Sequence, residues 1–235
     1  MKCSTFLTVL IAAGAVGLGT ASFAQPSGKT TTTDKPAATQ PKDHKGDKAD
    51  KGTKTDSTMG VKVGDMAPAF SLTDTDGKTV SLEQFKGKVV VLEWFNPECP
   101  FIVMHHKDAQ TFNELYQQYN TKGVVFLAIN SSAAGKEGAG KDLNAKKKTE
   151  YKMQYPILLD ESGATGHAYG ATNTPHCFVI GTDGKIAYAG AIDNYQQDKK
   201  HDKNYGKMAL DNVLAGKAAD PASTKPYGCG VKYGK

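Results

Sequence analysis

From Val61 onward the apolar residues of this chain fall by turns into short unbroken runs and longer stretches with helical spacing. Ala69-Phe70-Ser71-Leu72 and Thr79-Val80-Ser81-Leu82 flank an Asp76-Gly77 turn and predict two short strands. Lys88-Val89-Val90-Val91-Leu92-Glu93-Trp94-Phe95 is nearly continuous in apolar residues, the pattern of a strand covered on both faces. It ends at Asn96-Pro97-Glu98-Cys99-Pro100, where Pro100 suits the first position of a helix and puts Cys99 at its N-cap. Helical spacing through Ala109, Phe112, Tyr116 and Tyr119 then predicts a helix that stops near Lys122-Gly123.

A second buried run, Val124 to Asn130, precedes a glycine-rich loop and a polar helix from Lys141 to about Lys152. Pro156 to Asp160 predicts another strand, Ala164 to Tyr169 a short helix, and Thr174 to Ile180 a further strand. Asp183-Gly184 turns that strand into Lys185 to Gly190, a hairpin, and a last helix covers about Tyr205 to Ala215 before Gly216. Strands alternate with helices until a hairpin and a helix close the chain. The expected architecture is α/β, a central mixed β-sheet flanked by helices on both faces.

Composition divides the chain before that domain begins. Lys2, an apolar run from Phe6 to Leu18 and the small residues ending Ser22-Phe23-Ala24 read as a signal peptide, residues 1–24, removed before Gln25. Cys3 lies inside it and leaves with it. Residues 25–58 are Lys, Thr, Asp, Pro and Gly with almost nothing apolar, too little to offset the entropy of ordering, and read as a disordered linker. Residues 59–235 form one domain, expected to be exported to the periplasm or the medium with no membrane anchor in the mature form.

Charge excludes some functions. The net +5 falls to +2 from residue 59 on, where 21 lysines face 19 acidic residues. The densest basic run, Lys146 to Lys148, has helical spacing and no interleaved aromatics, so it reads as a solvated helix face and no nucleic-acid partner is expected. All 29 basic residues are lysine, and a chain without arginine has no guanidinium fork for any mechanism.

Three cysteines remain in the mature chain, Cys99, Cys177 and Cys229, and three cannot all pair internally. Cys99 stands where a buried strand meets a helix N-terminus, a place whose free N–H groups and dipole favour the thiolate, the nucleophilic form. The alternative is an inert capping cysteine.

The block Val89 to Phe101, with Thr174-Pro175-His176 and the tail Tyr227-Gly228-Cys229-Gly230-Val231-Lys232, resembles the thioredoxin-like redoxin proteins, and more narrowly the peroxiredoxin-like (AhpC/TSA-type) subgroup. The resemblance covers about residues 60 to 235. It implies a thioredoxin-like fold in which Cys99 is the attacking cysteine and Pro175 is a cis-proline beside it. Two departures stand out. Ile102 occupies the place of the second cysteine of C-x-x-C, and Leu92 and Asn96 occupy the proline and threonine places of the peroxiredoxin motif, whose arginine is also missing.

The function expected is that of an exported thiol-disulfide oxidoreductase or thiol-dependent antioxidant, and a poor peroxidase. Its partners are a thiol or disulfide protein or a peroxide, with an electron donor the sequence does not specify, and no cofactor is implied. Cys229, in a glycine-rich tail expected to be mobile, is favoured as the resolving thiol, with a structural Cys229 paired to Cys177 or to a second molecule as the alternative. Cys177 is expected in the core. His105 and His106 are expected on a solvent-facing helix, and Asp193 receives no role. Two rival readings are a copper-binding thioredoxin-like protein using Cys99 with His105, His106 or Cys177, and a redox-inactive binding module.

Overall fold

The computed structural model describes residues 60–235; the signal peptide and linker expected over 1–24 and 25–58 lie outside the described residues. Among the described residues nine strands form, β1 (Ser71–Asp74), β2 (Thr79–Ser81), β3 (Val90–Trp94), β4 (Val125–Asn130), β5 (Ile157–Leu159), β6 (Asn173–Thr174), β7 (His176–Ile180), β8 (Ile186–Gly190) and β9 (Cys229–Gly230). Seven build one sheet in the order β2-β1-β5-β4-β3-β7-β8, and β6 and β9 pair separately. β3, β4 and β5 are parallel, whereas β1, β2, β7 and β8 join antiparallel, so the sheet is mixed.

Every residue of β3 is buried, because both faces of the sheet are covered. Val91, Phe95, Cys177 and Val179 face a core completed by Ile102, Phe112, Leu115, Ala209 and Leu210. Those residues come from α1 (Pro100–Val103), α2 (Thr111–Tyr119) and α6 (Tyr205–Leu214). Val90, Leu92, Trp94, Phe178 and Ile180 face the opposite core, where Tyr169 of α4 (Ala164–Tyr169) packs on Trp94 with ring centroids 5.3 Å apart. The polar helix α3 (Lys141–Glu150) and the short α5 (Tyr195–Asp198) complete the domain. Complete burial of such side chains contributes about 1.5–3 kcal/mol each, which makes β3 the anchor of the fold.

The long helix expected after Cys99 is broken. α1 has four residues and passes into a π turn, Met104–Asp108, in which Ala109 N–H donates to Met104 C=O at 2.8 Å. Gln110 then adopts φ +52° and ends the run. Its side chain donates to the carbonyls of His106 (2.6 Å) and Lys107 (3.1 Å), satisfying groups that the break leaves open. The extra residue of the π turn rotates His105 and His106 inward, and both are 0% exposed. Their expected solvent exposure is therefore corrected.

The strand expected over 174–180 is also interrupted, by Pro175, which separates β6 from β7. The expected mobile tail is corrected as well. Cys229 lies in β9, antiparallel to β6 with Cys229 opposite Thr174. Tyr227 is buried, Val231 packs on the second core, and Tyr233 donates to Ala171 C=O at 2.7 Å and stacks on His167. Glycine content alone missed the ordering effect of these aromatic anchors.

Candidate functional site

The loop from β3 to α1 is fastened at each residue. Asn96 Oδ1 accepts from Glu98 N–H at 2.9 Å, its Nδ2 donates to Glu137 C=O at 3.3 Å, and Glu98 Oε2 accepts from Gly138 N–H at 2.8 Å. Tyr151 O–H donates to Pro97 C=O at 2.7 Å. Cys99 is thereby set at the N-cap of α1 with Pro100 at the first helical position.

Cys99 is 0% exposed. Its thiol donates to Thr174 C=O at 3.1 Å, and the Thr174–Pro175 peptide bond is cis. The C-terminal segment closes over the turn that carries it. Phe101, two residues past Cys99, meets Tyr227 with ring centroids 5.7 Å apart, and Cys229 packs on the core that contains Cys99. Gly228 has φ +114°, and a Cβ there would stand 2.2 Å from Thr174 C=O, so only glycine allows this approach.

Burial, and then the neighbouring Cys99 thiol, push the Cys229 thiol up to about 12. Cys177 is fully buried on the same sheet face, opposite Glu93 in the β3–β7 register. Burial, and then the Glu93 charge, push its thiol far up, so Cys177 is a poor nucleophile in this state.

Sequence reasoning assigned no role to Glu93 or Asp193, the carboxylates of two polar centres beneath this surface. Glu93, 1% exposed, accepts from His106 Nε2 at 2.7 Å and from Tyr155 O–H at 2.8 Å. Burial and then Glu93 raise the Tyr155 phenol, which stays a donor. His106 stacks between Phe112 and Tyr151, and its Nδ1 has no partner among the described residues. A charged residue in an otherwise apolar strand was the available signal.

Asp193 is the second centre. Its carboxylate accepts from Tyr227 O–H, from His201 Nδ1 and, at 3.0 Å, from Tyr195 N–H. Tyr227 oxygen also bonds His105 Nε2 at 2.7 Å, and His105 Nδ1 meets Thr111 Oγ1 at 3.0 Å. Burial lowers His105 to about 4 against the pull of Asp193, so its imidazole is neutral near pH 7. Burial, followed by Asp193, raises the Tyr227 phenol. His105 and His106 of the copper-binding alternative hydrogen-bond to Tyr227, Thr111 and Glu93, none of which is a thiol. The histidine–carboxylate cluster found among the described residues contains no cysteine.

A buried cysteine at a helix N-terminus, beside a cis-proline on a mixed sheet, defines a thioredoxin-like redox protein. A family model described as Redoxin matches residues 62–208, and the chain belongs to the Redoxin family; it is an oxidoreductase. Among curated relatives it is 32% identical over 127 residues to the thiol-disulfide oxidoreductase ResA of Bacillus thuringiensis subsp. konkukian, spanning 54% of this chain and 68% of that protein. It is 30% identical to the chloroplastic peroxiredoxin Q of Suaeda salsa, over 60% of this chain and 64% of the relative. Among solved structures, a hypothetical protein of Sinorhizobium meliloti 1021 superposes with TM-score 0.67 at 25% identity, covering 75% of this chain and 97% of that one. An uncharacterized protein of Geobacillus kaustophilus gives TM-score 0.63 at 29% identity, covering 74% and 93%. No helix among the described residues is long and apolar enough to cross a membrane.

Proposed function

We propose that this protein is an exported thiol-disulfide oxidoreductase in which Cys99 attacks and Cys229 resolves. The observation that carries this reading is the position of Cys229 in β9, held opposite the Thr174 whose carbonyl accepts the Cys99 thiol. The Cys99 thiolate attacks one sulfur of a substrate disulfide, a mixed disulfide forms, and the other substrate sulfur leaves as a thiolate that takes up a proton. Cys229, once deprotonated, attacks Cys99 sulfur, which releases the reduced substrate and leaves a Cys99–Cys229 disulfide. An external dithiol returns both cysteines to the reduced state. With a peroxide, Cys99 would pass through a sulfenic acid that condenses with Cys229 and loses water.

The curated relative named a thiol-disulfide oxidoreductase supports a thiol or disulfide protein as substrate. Export is supported by the signal-like residues 1–24. Slow peroxidase chemistry is supported by the missing arginine and by Asn96, whose side chain is committed to Glu98 and Glu137.

The test is reduction of a disulfide-bonded protein by the pre-reduced chain, compared with Cys99→Ser and Cys229→Ser. Loss of exchange in Cys99→Ser and a trapped mixed disulfide in Cys229→Ser support the proposal. Full exchange by Cys99→Ser overturns it.

A further inference from the structure

Apart from the thiols, one cluster has the donor set of a transition-metal site. His105 comes from the π turn, Asp193 from the loop after β8, and His201 from the segment between α5 and α6. One donor atom from each lies within 4.8 Å of the other two. We propose that His105, Asp193 and His201 bind one divalent first-row transition ion, with zinc as its representative.

Two imidazoles and a carboxylate without a thiolate form a set that suits such an ion, three protein ligands leaving a further position open. Metal–ligand bonds of about 2.0–2.2 Å place neighbouring donors about 3–3.5 Å apart. His201 Nδ1 stands 2.5 Å from Asp193 Oδ2, so binding parts this pair by about 1 Å while the wider spacing to His105 closes. The movable member is His201, whose side chain is 35% exposed on a connecting segment, whereas Asp193 and His105 are buried.

The surroundings are built for ligation as well. In the present hydrogen-bond chain Tyr227 O–H donates to Asp193, so His105 Nε2–H donates to Tyr227 and Nδ1 accepts from Thr111. A hydroxyl can donate or accept, so Thr111 holds the other tautomer equally well: it then accepts Nδ1–H and leaves the Nε2 lone pair, 2.7 Å from the Tyr227 oxygen, open to an ion once that hydroxyl swings aside. An outer partner on the second ring nitrogen is the usual support of a ligating histidine. A pocket of about 380 Å³ lined by Asp193, Gln196, Lys225 and Tyr227 reaches the carboxylate of the cluster.

This inference does not depend on the thiol chemistry, and its test keeps the thiols out. Zinc titration by calorimetry and cobalt spectroscopy are run on the full chain, on Cys99→Ser/Cys229→Ser and on His201→Ala, whose exposed site leaves the fold intact by circular dichroism. One equivalent of zinc should bind the full chain and the double cysteine variant alike, and bound cobalt should show no sulfur-to-metal charge-transfer band. His201→Ala should weaken binding about tenfold or more. Unchanged affinity in His201→Ala, loss of binding in the cysteine variant, or no heat at millimolar zinc each overturns the proposal.

Discussion

Cys229 stands opposite Thr174 in the β6–β9 register, and Thr174 C=O is also the acceptor of the Cys99 thiol at 3.1 Å. One backbone residue thus holds both Cys99 and the tail. Mild oxidation should therefore produce a Cys99–Cys229 disulfide in preference to one with Cys177, whose strand is paired on both sides. Non-reducing peptide mapping checks this; exclusive recovery of a Cys99–Cys177 linkage would overturn it.

Gly228→Ala should loosen the tail. The substitution forces a side chain into φ +114° and against Thr174 C=O, at about 1–3 kcal/mol. Since the tail covers Cys99, its alkylation by iodoacetamide should become faster than in the unsubstituted chain while the sheet stays folded. An unchanged rate would mean that access to Cys99 does not depend on this segment.

Glu93→Ala should destabilise the domain by about 3 kcal/mol, because it strands His106 Nε2 and Tyr155 O–H in a dry core. Denaturant unfolding at pH 7 measures the effect, and a loss below about 1 kcal/mol would show that water or a shifted neighbour replaces the carboxylate.

His176 predicts a pH dependence. Burial lowers it from 6.5 to about 4 in the folded state. Between those values the unfolded chain binds more protons, so stability is fully present above pH 6.5 and falls as the pH drops towards 4. The size is about 3 kcal/mol at its limit. His176→Phe, which keeps a ring against Phe178, should reduce the difference in unfolding free energy between pH 7 and pH 4.5 by about 2 kcal/mol. An identical pH profile for both proteins would rule out this residue as the source.

Peroxide should oxidise Cys99 slowly. Electrostatic preorganisation is usually a large catalytic term, and the chain has no arginine to supply it. Stopped-flow rates should lie far below the diffusional ceiling of about 10⁸ M⁻¹s⁻¹, and a rate near it would mean that another donor polarises the O–O bond.

Local pattern determined the framework of this protein. The apolar run 88–95 becomes β3 because continuous burial requires both faces covered, Asp183-Gly184 makes the β7–β8 turn, and Pro100 places Cys99 at a helix start. These outcomes depend on neighbours a few residues apart, which a sequence displays. The surroundings of Cys99 depend on partners far along the chain. His105 meets Tyr227 across 122 positions, and Cys99 meets Thr174 across 75. Residues 104–110 hold no glycine or proline to mark the π turn; burial of two imidazoles against Glu93 and Tyr227 stabilises it. Glycine 228, read locally, suggests a loose tail, yet its missing side chain is what permits β9 to close on Thr174. Tertiary packing decided which polar residues entered the core, because a buried donor is stable only where a distant acceptor meets it.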